Sequence, residues 1–305
     1  MPKRTFRVDL SQKGLRLDVF LSQKIKEQTR SQLKKKIEQN RATVCGTPRK
    51  SSFILSAGDQ VEFILDLSEG EALFPENVPL KILYHDEHVI VLEKPSGMVV
   101  HPGAGRRHET LVNALLHHFP GIREVGPEER PGIVHRLDKE TSGLMVVALS
   151  ERAYVELQRQ FKQRLVEKIY LGLVWGKITK RDGTIRWPVG RHAKHGDRMS
   201  VKTKKPRTAE TQFEVLRKFQ GYTLLKIKPI TGRTHQIRVH FAASGHPIVG
   251  DTRYGKKKAK LRTPRLFLHA HRLGFFHPES QERLDFLSPL PIELEKFLLT
   301  GTSLT

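Results

Sequence analysis

Between Pro131 and Ala148 the chain runs directly from a loop crowded with ionisable and hydroxyl groups into an unbroken apolar run, Leu144-Met-Val-Val-Ala148. A short, uniformly apolar segment of this kind reads as a strand buried in a sheet. It therefore fixes a loop of chemically active residues to the interior of a domain, as a rigidly placed functional group requires. Other segments read around it as strands are Leu80–Tyr84, Val89–Glu93, Ile169–Trp175, Thr211–Leu216 and Tyr222–Ile227. Helical spacing marks 110–119, and a basic helix with Tyr154, Leu157 and Phe161 on one side marks 151–164. Strands and helices alternate irregularly, and several strands are joined by short turns. The expected class is α+β, with a mixed, largely antiparallel central sheet.

Charge then narrows the partner. Against 54 Lys and Arg stand 32 Asp and Glu, a net charge of +22. Such an excess is costly on a compact surface unless a polyanion screens it, and nucleic acid is the obvious one. Residues 1–50 carry 14 basic and 4 acidic residues (net +10), and residues 51–130 carry 6 and 13 (net −7), so the remainder carries +19. Two basic blocks flank an acidic one. No basic amphipathic stretch points to a membrane surface, and no apolar run reaches the ~18 residues of a span. The N-terminal MPKRTFRVDL has no secretory apolar core, and the lone Cys45 cannot build a disulfide framework or a cysteine zinc module. A cytoplasmic protein is expected.

Residues 15–66 read as a small α/β module. Leu17, Phe20, Leu21 and Ile25 recur at helical spacing, and a second helix starts at Thr29 or Ser31, with Gln32 in capping-box position after Thr29. Leu33 and Ile37 form its inner face, and Arg30, Lys34, Lys35 and Lys36 spread basic charge around it. Asn40 is expected as a left-handed C-cap, Cys45-Gly46 as a turn, and Val61, Phe63 and Leu65 as the inner face of a strand opened by Gly58-Asp59. An isolated lysine run is usually just a solvated helix face. Here Arg16-Leu17-Asp18, Thr29-Arg30-Ser31-Gln32-Leu33 and Gly58-Asp59 together resemble the S-four-type RNA-binding module, with Asn40 and Cys45 replacing its usual Gly and Asn. The acidic, proline-interrupted stretch 67–79 is expected to be a linker, and 80–300 the catalytic domain.

Asp138 lies in the 131–148 loop between Arg136 and Lys139, whose charges favour an ionised carboxylate able to attack an electrophilic carbon. Taken alone, an Asp in such a loop is more often a turn cap. The wider pattern weighs against that. His135-Arg136-Leu137-Asp138 with Thr141-Ser142-Gly143-Leu144 resembles the signature of the RluA family of pseudouridine synthases, in its RluC/RluD-like group. Asp86-Glu87, Lys94-Pro95 and His101-Pro102-Gly103 resemble its opening motif, and Lys168-Ile169-Tyr170 the strand that carries its tyrosine. The run from Thr231 to His240, with Gly245-His246-Pro247 and Gly250-Asp251, resembles its third signature. Leu268-His269-Ala270 and Phe286 resemble its C-terminal segment. Glu93 and Gly172 depart from the usual Asn and Ala, at positions without an assigned role.

The resemblance implies a pseudouridine synthase fold and a set of roles. Asp138 is the nucleophile, attacking ribose C1′ or uracil C6, between which the sequence does not choose. Tyr170 stacks on the target uracil, and Arg233 forms the ion pair that orients Asp138. Arg136 enters the RNA helix where the uridine is extruded, a step needed because a stacked base hides its reacting atoms. Ribosomal RNA of the large subunit is the expected substrate, with transfer RNA as the alternative. A non-catalytic RNA-binding or assembly factor is the competing reading, disfavoured because Asp138, Tyr170 and Arg233 are all present. No metal is expected, since HExxH and cysteine ligands are missing although His235, His240, His269 and His271 could suggest one. No cofactor is expected, and a monomer is. Gly103-Ala104-Gly105 lacks a P-loop ending and reads as a turn, and Lys256–Lys260 as a basic loop.

Overall fold

The computed structural model describes residues 3–25, 30–64, 73–103, 107–193, 195, 198–255 and 263–300, with only the backbone for Ser31, Gln32, Lys35 and Thr300. Thr29, Leu65, Ala104-Gly105 and Lys256–Lys260, which carry some of the expectations above, lie outside that set. The chain divides into two compact units, Met1–Ala72 and Leu73–Thr305.

The first unit packs two helices, Leu17–Lys24 and Arg30–Glu38, on a four-stranded sheet. Leu17, Phe20, Leu21, Ile25, Leu33 and Ile37 meet Val61 and Phe63 in one core. These are the residues that the 3.6- and 2-residue periods select. Asn40 takes φ 59, and Cys45 and Gly46 take φ 48 and 76 in the turn joining Ala42–Val44 to Thr47–Pro48. One strand has a single apolar residue, Phe6: Lys3–Arg7 is mostly exposed and pairs antiparallel with Gln60–Ile64, so the unit reaches beyond the 15–66 range.

The second unit is built on a nine-stranded mixed sheet. In spatial order its main path runs Lys81–His85, Val89–Lys94, Ser142–Ala148, Leu268–Phe276, Glu167–Trp175, Tyr222–Pro229, Thr211–Phe219 and Asp182–Ile185. Arg283–Leu287 pairs with the second half of Leu268–Phe276. The pairing is antiparallel except where His269 and Ala270 meet Ser142 and Gly143 in parallel. Gly143 makes that junction possible. It sits at φ +115, and an added Cβ would strike the Ala270 backbone. Ser142–Ala148 is buried along its whole length, as a strand covered on both faces must be.

Two helices bear directly on the site. Glu151–Gln163 is capped by the Ser150 hydroxyl and ends on Arg164 at φ 61. Gln236–Ala243 is buried on nearly every side, including its polar residues Gln236, Arg238 and His240. Its low amphipathicity explains why sequence periodicity shows only a motif there. Residues 73–79, expected within the linker, belong to the second unit. Leu73 enters its core, and Asn113, in the helix Leu111–His118, donates to the Phe74 carbonyl at 2.8 Å. Among the described residues no helix is long and apolar enough to cross a membrane.

Candidate active site

The 131–141 loop is held at both ends. At its start, the Val146 N–H donates to His135 Nε2 at 3.0 Å, while the imidazole stacks on Phe161 with ring centroids 4.7 Å apart. Burial, assisted by Lys168, lowers the His135 imidazole to about 3, so the ring stays neutral and can accept that bond. At its end, the turn after Asp138 is clamped by the loop following Val89–Lys94. The Ser96 hydroxyl donates to the Glu140 carbonyl at 2.7 Å and the Gly97 N–H to the Lys139 carbonyl at 2.8 Å. Lys94, fully buried, donates to the carbonyls of Pro95, Met98 and Lys139 at 2.7, 2.9 and 3.3 Å. Burial pulls its ammonium down to about 7, against the opposing field of Asp138 and Glu140. Leu137 is buried between these anchors. Asp138 is thus presented from a fixed backbone.

Its carboxylate faces a cleft of about 590 Å³. The ion-pair partner is Arg238, whose Nη1 lies 3.4 Å from Asp138 Oδ2. This corrects the expectation for Arg233, which lines the same cleft but is exposed and turns its Nε to the Thr208 carbonyl at 3.1 Å. Both arginines belong to one motif, and the helix decides between them. Arg238 points into the interior from the helix Gln236–Ala243, while Arg233 precedes that helix on an exposed turn. Asp251 grips Arg238 from behind with two bonds, Nε to Oδ2 at 2.8 Å and Nη2 to Oδ1 at 2.9 Å. Burial alone would lower the arginine, but Asp251, Asp138 and Glu140 outweigh it and hold it above its ordinary range. The cation facing Asp138 is permanent. Gln236 organises the turn, accepting from the Arg233 N–H and the Thr231 hydroxyl and donating to the Glu210 carbonyl and Thr211 hydroxyl.

Tyr170 lines the cleft from the strand Glu167–Trp175 and is buried. Burial and the Asp138 charge raise its phenol, which stays protonated. Lys168, two residues earlier, lines the cleft too, with Nζ 5.7 Å from the Phe161 ring centre, and burial lowers it to about 8. Arg136 is exposed at the cleft and makes no ion pair among the described residues. In the first unit, Arg30 pairs with the buried Asp18 at 2.9 Å and Lys34 with Glu38 at 3.7 Å at the surface, and Lys36 is partly buried. Among the described residues no group of three or more His, Cys, Asp or Glu side chains could hold a metal.

The RNA pseudouridylate synthase family model matches residues 88–243. The chain belongs to this family and is an RNA pseudouridine synthase, an isomerase. More narrowly, it is 43% identical over 293 residues to ribosomal large subunit pseudouridine synthase D of Nitrosomonas europaea, covering 93% of this chain and 84% of that protein. It is also 45% identical over 283 residues to an uncharacterized RNA pseudouridine synthase of Aquifex aeolicus, 89% of each chain. Among solved structures, human RNA pseudouridylate synthase domain containing 1 aligns with a TM-score of 0.59 at 32% identity, over 73% of this chain and 87% of that one. This chain is an RluA-family enzyme of RluD-like type.

Proposed function

We propose that this enzyme converts specific uridines of large-subunit ribosomal RNA to pseudouridine, with Asp138 as the nucleophile. One observation carries this reading: seven Lys and Arg side chains line the cleft, and Asp138 is its one carboxylate among the described residues. The cations suit a phosphate backbone, which dominates RNA affinity. The lone carboxylate, faced by the permanently charged Arg238, suits attack on an extruded nucleoside.

In the proposed reaction Asp138 bonds to ribose C1′ or uracil C6 and the N-glycosidic bond breaks. The base rotates, rejoins through C5, and loses the C5 proton as the enzyme is released. Because the Tyr170 phenol holds its own proton, stacking on the uracil is the role it supports best. Arg136, exposed at the cleft, is suited to fill the gap left by the extruded base. The names of the relatives support ribosomal RNA over transfer RNA, and the basic first unit, resembling an S-four-type module, supports a large folded substrate. The same reading carries a monomer acting in the cytoplasm.

The test is pseudouridine mapping by carbodiimide of total RNA from cells with the wild-type gene, no gene, or Asp138→Asn. The expected result is one or more large-subunit signals present only with the wild-type gene. A signal that persists with Asp138→Asn would remove Asp138 from the chemistry.

A further inference from the structure

Asp138 has two carboxylate oxygens, and Arg238 accounts for one of them. Oδ1 faces His235, whose Nε2 lies 3.9 Å away. Arg238 at 3.4 Å and His235 at 3.9 Å bracket the carboxylate loosely, so its lone pairs remain available for attack.

His235 is itself held in place. Its backbone adopts φ 55, a left-handed conformation uncommon outside glycine, at the start of Gln236–Ala243. Its Nδ1 lies 2.8 Å from the Tyr254 hydroxyl, and that hydroxyl accepts the Met199 N–H at 2.9 Å. The Tyr254 ring also lies under the Arg238 guanidinium, 5.4 Å from its centroid. One tyrosine therefore touches both groups that flank Asp138.

Counting protons fixes the tautomer. A phenol has one proton to give and lone pairs to accept with. The Met199 amide already donates to it. Were His235 protonated on Nδ1, two donors would converge on the oxygen, and the phenol proton would have no acceptor among the described residues. If the phenol instead donates to Nδ1, every group is satisfied, and the neutral ring carries its proton on Nε2, toward Asp138. Burial raises the phenol, so it keeps a proton to give. Burial, with Arg238 and Arg253 adding to it and Asp138 and Asp251 opposing, holds the imidazole below its usual range, so it is neutral.

We propose that Tyr254 and His235 form a positioning pair: the Tyr254 hydroxyl fixes the tautomer that presents the His235 Nε2–H to the free oxygen of Asp138. The role rests on Asp138 being the nucleophile, and the experiment separates the two ideas. Full-length enzyme labelled with ¹⁵N-histidine reports the tautomer by NMR, with His235 assigned by the signal lost in His235→Gln. Single-turnover release of tritium from uridine C5 in a large-subunit ribosomal RNA transcript reports the chemistry.

In the wild type, Nδ1 of His235 should be unprotonated. Tyr254→Phe, which keeps the ring under Arg238, should mix the tautomers and slow release by about tenfold with RNA affinity unchanged, the size of one lost hydrogen bond between neutral groups. His235→Gln, which restores an N–H near Nε2, should keep more of the rate than His235→Ala. In the His235→Gln background, Tyr254→Phe should add little. A merely structural tyrosine would slow both backgrounds equally, and that result overturns the proposal, as does a protonated Nδ1 in the wild type. Should Asp138→Asn still release tritium, the nucleophile assignment fails, while the NMR result still decides the tautomer.

Discussion

The tripeptide Arg-Leu-Asp occurs three times, at 16–18, 136–138 and 283–285, and the structure puts the first two copies to opposite uses. In both, the leucine is buried and anchors the backbone. In the first copy Asp18 starts a helix, and its side chain is 3% exposed. Its own neighbour Arg16 closes on it at 3.0 Å and Arg30 at 2.9 Å. Burial alone would raise this carboxyl, but the bonds from Arg16 and Arg30 outweigh it and hold it below its usual range. In the second copy Arg136 turns outward, and Asp138 is left 16% exposed with a distant, buried arginine behind it. Adjacent charges alone do not mark a reactive carboxylate. What separates the copies is whether the neighbouring arginine closes on the aspartate or leaves it open to a cleft.

The largest expected effect tests that contrast directly. Asp138→Asn should reduce single-turnover pseudouridine formation to background while thermal unfolding and RNA affinity stay near wild type. Asp18→Asn should leave the rate of the bound complex intact and speed hydrogen exchange at the Leu17 and Phe20 amides. Equal loss of rate in both variants would erase the distinction.

Next in size is Arg238→Met. It leaves Asp251 buried without its cation, and breaking such a pair costs about 3–5 kcal/mol. Chemical denaturation should show that loss together with a collapse in rate, whereas Arg233→Ala should leave stability unchanged. If Arg233→Ala instead matched Arg238→Met in stability, the reassignment between the two arginines would be wrong. Acid provides a third test. Because the folded Asp18 carboxyl sits below its unfolded value near 3.9, its contribution is full above that value and is lost as pH falls through the folded one. The protection factor of the Leu17 amide should therefore fall below about pH 4 in the wild type and show a weaker acid response in Asp18→Asn.

The smallest effect concerns the basic helix of the first unit. Arg30 is tied to Asp18, while Lys34 pairs with the exposed Glu38, a contact that contributes little. Lys34→Ala should lower the slope of log affinity against log salt by about one. Arg30→Ala should add a loss of stability that Lys34→Ala does not.

Much of the frame was legible because apolar periodicity reports burial. The strand expected at 144–148 is observed as Ser142–Ala148, and the helix expected at 110–119 as Leu111–His118 behind a Thr110 cap. The strand Lys3–Arg7 was hidden because all its residues but Phe6 are polar and most are exposed, and its place comes from backbone pairing with Gln60–Ile64. Leu268–Phe276 appeared in the sequence only as a motif, since two of its three partner strands lie far away along the chain. Asp138 and Tyr170 could be singled out by resemblance and share one cleft. Arg238 could not be told from Arg233 by residue type, for its burial depends on a helix whose polar residues face the interior. One sequence signal could have favoured it: Arg238 stands between Ile237 and Val239, where an unpaired arginine is untenable, and Asp251 follows thirteen residues later.

The parallel seam at Gly143 also sets when in its own synthesis this enzyme can first act. Asp138 and Gly143 leave the ribosome well before Leu268–Phe276, the strand that Gly143 fits against, and Ser142 bonds to a histidine 127 residues away. At about 5–20 residues per second, the stretch from Asp138 to Leu268 takes roughly 7–26 seconds to make. Through that interval the nascent chain carries Asp138 on a loop leading into a strand with one edge unpaired. A basic chain emerging among ribosomal RNA can bind before it is finished, but it cannot modify what it binds until the late strand arrives to set the loop.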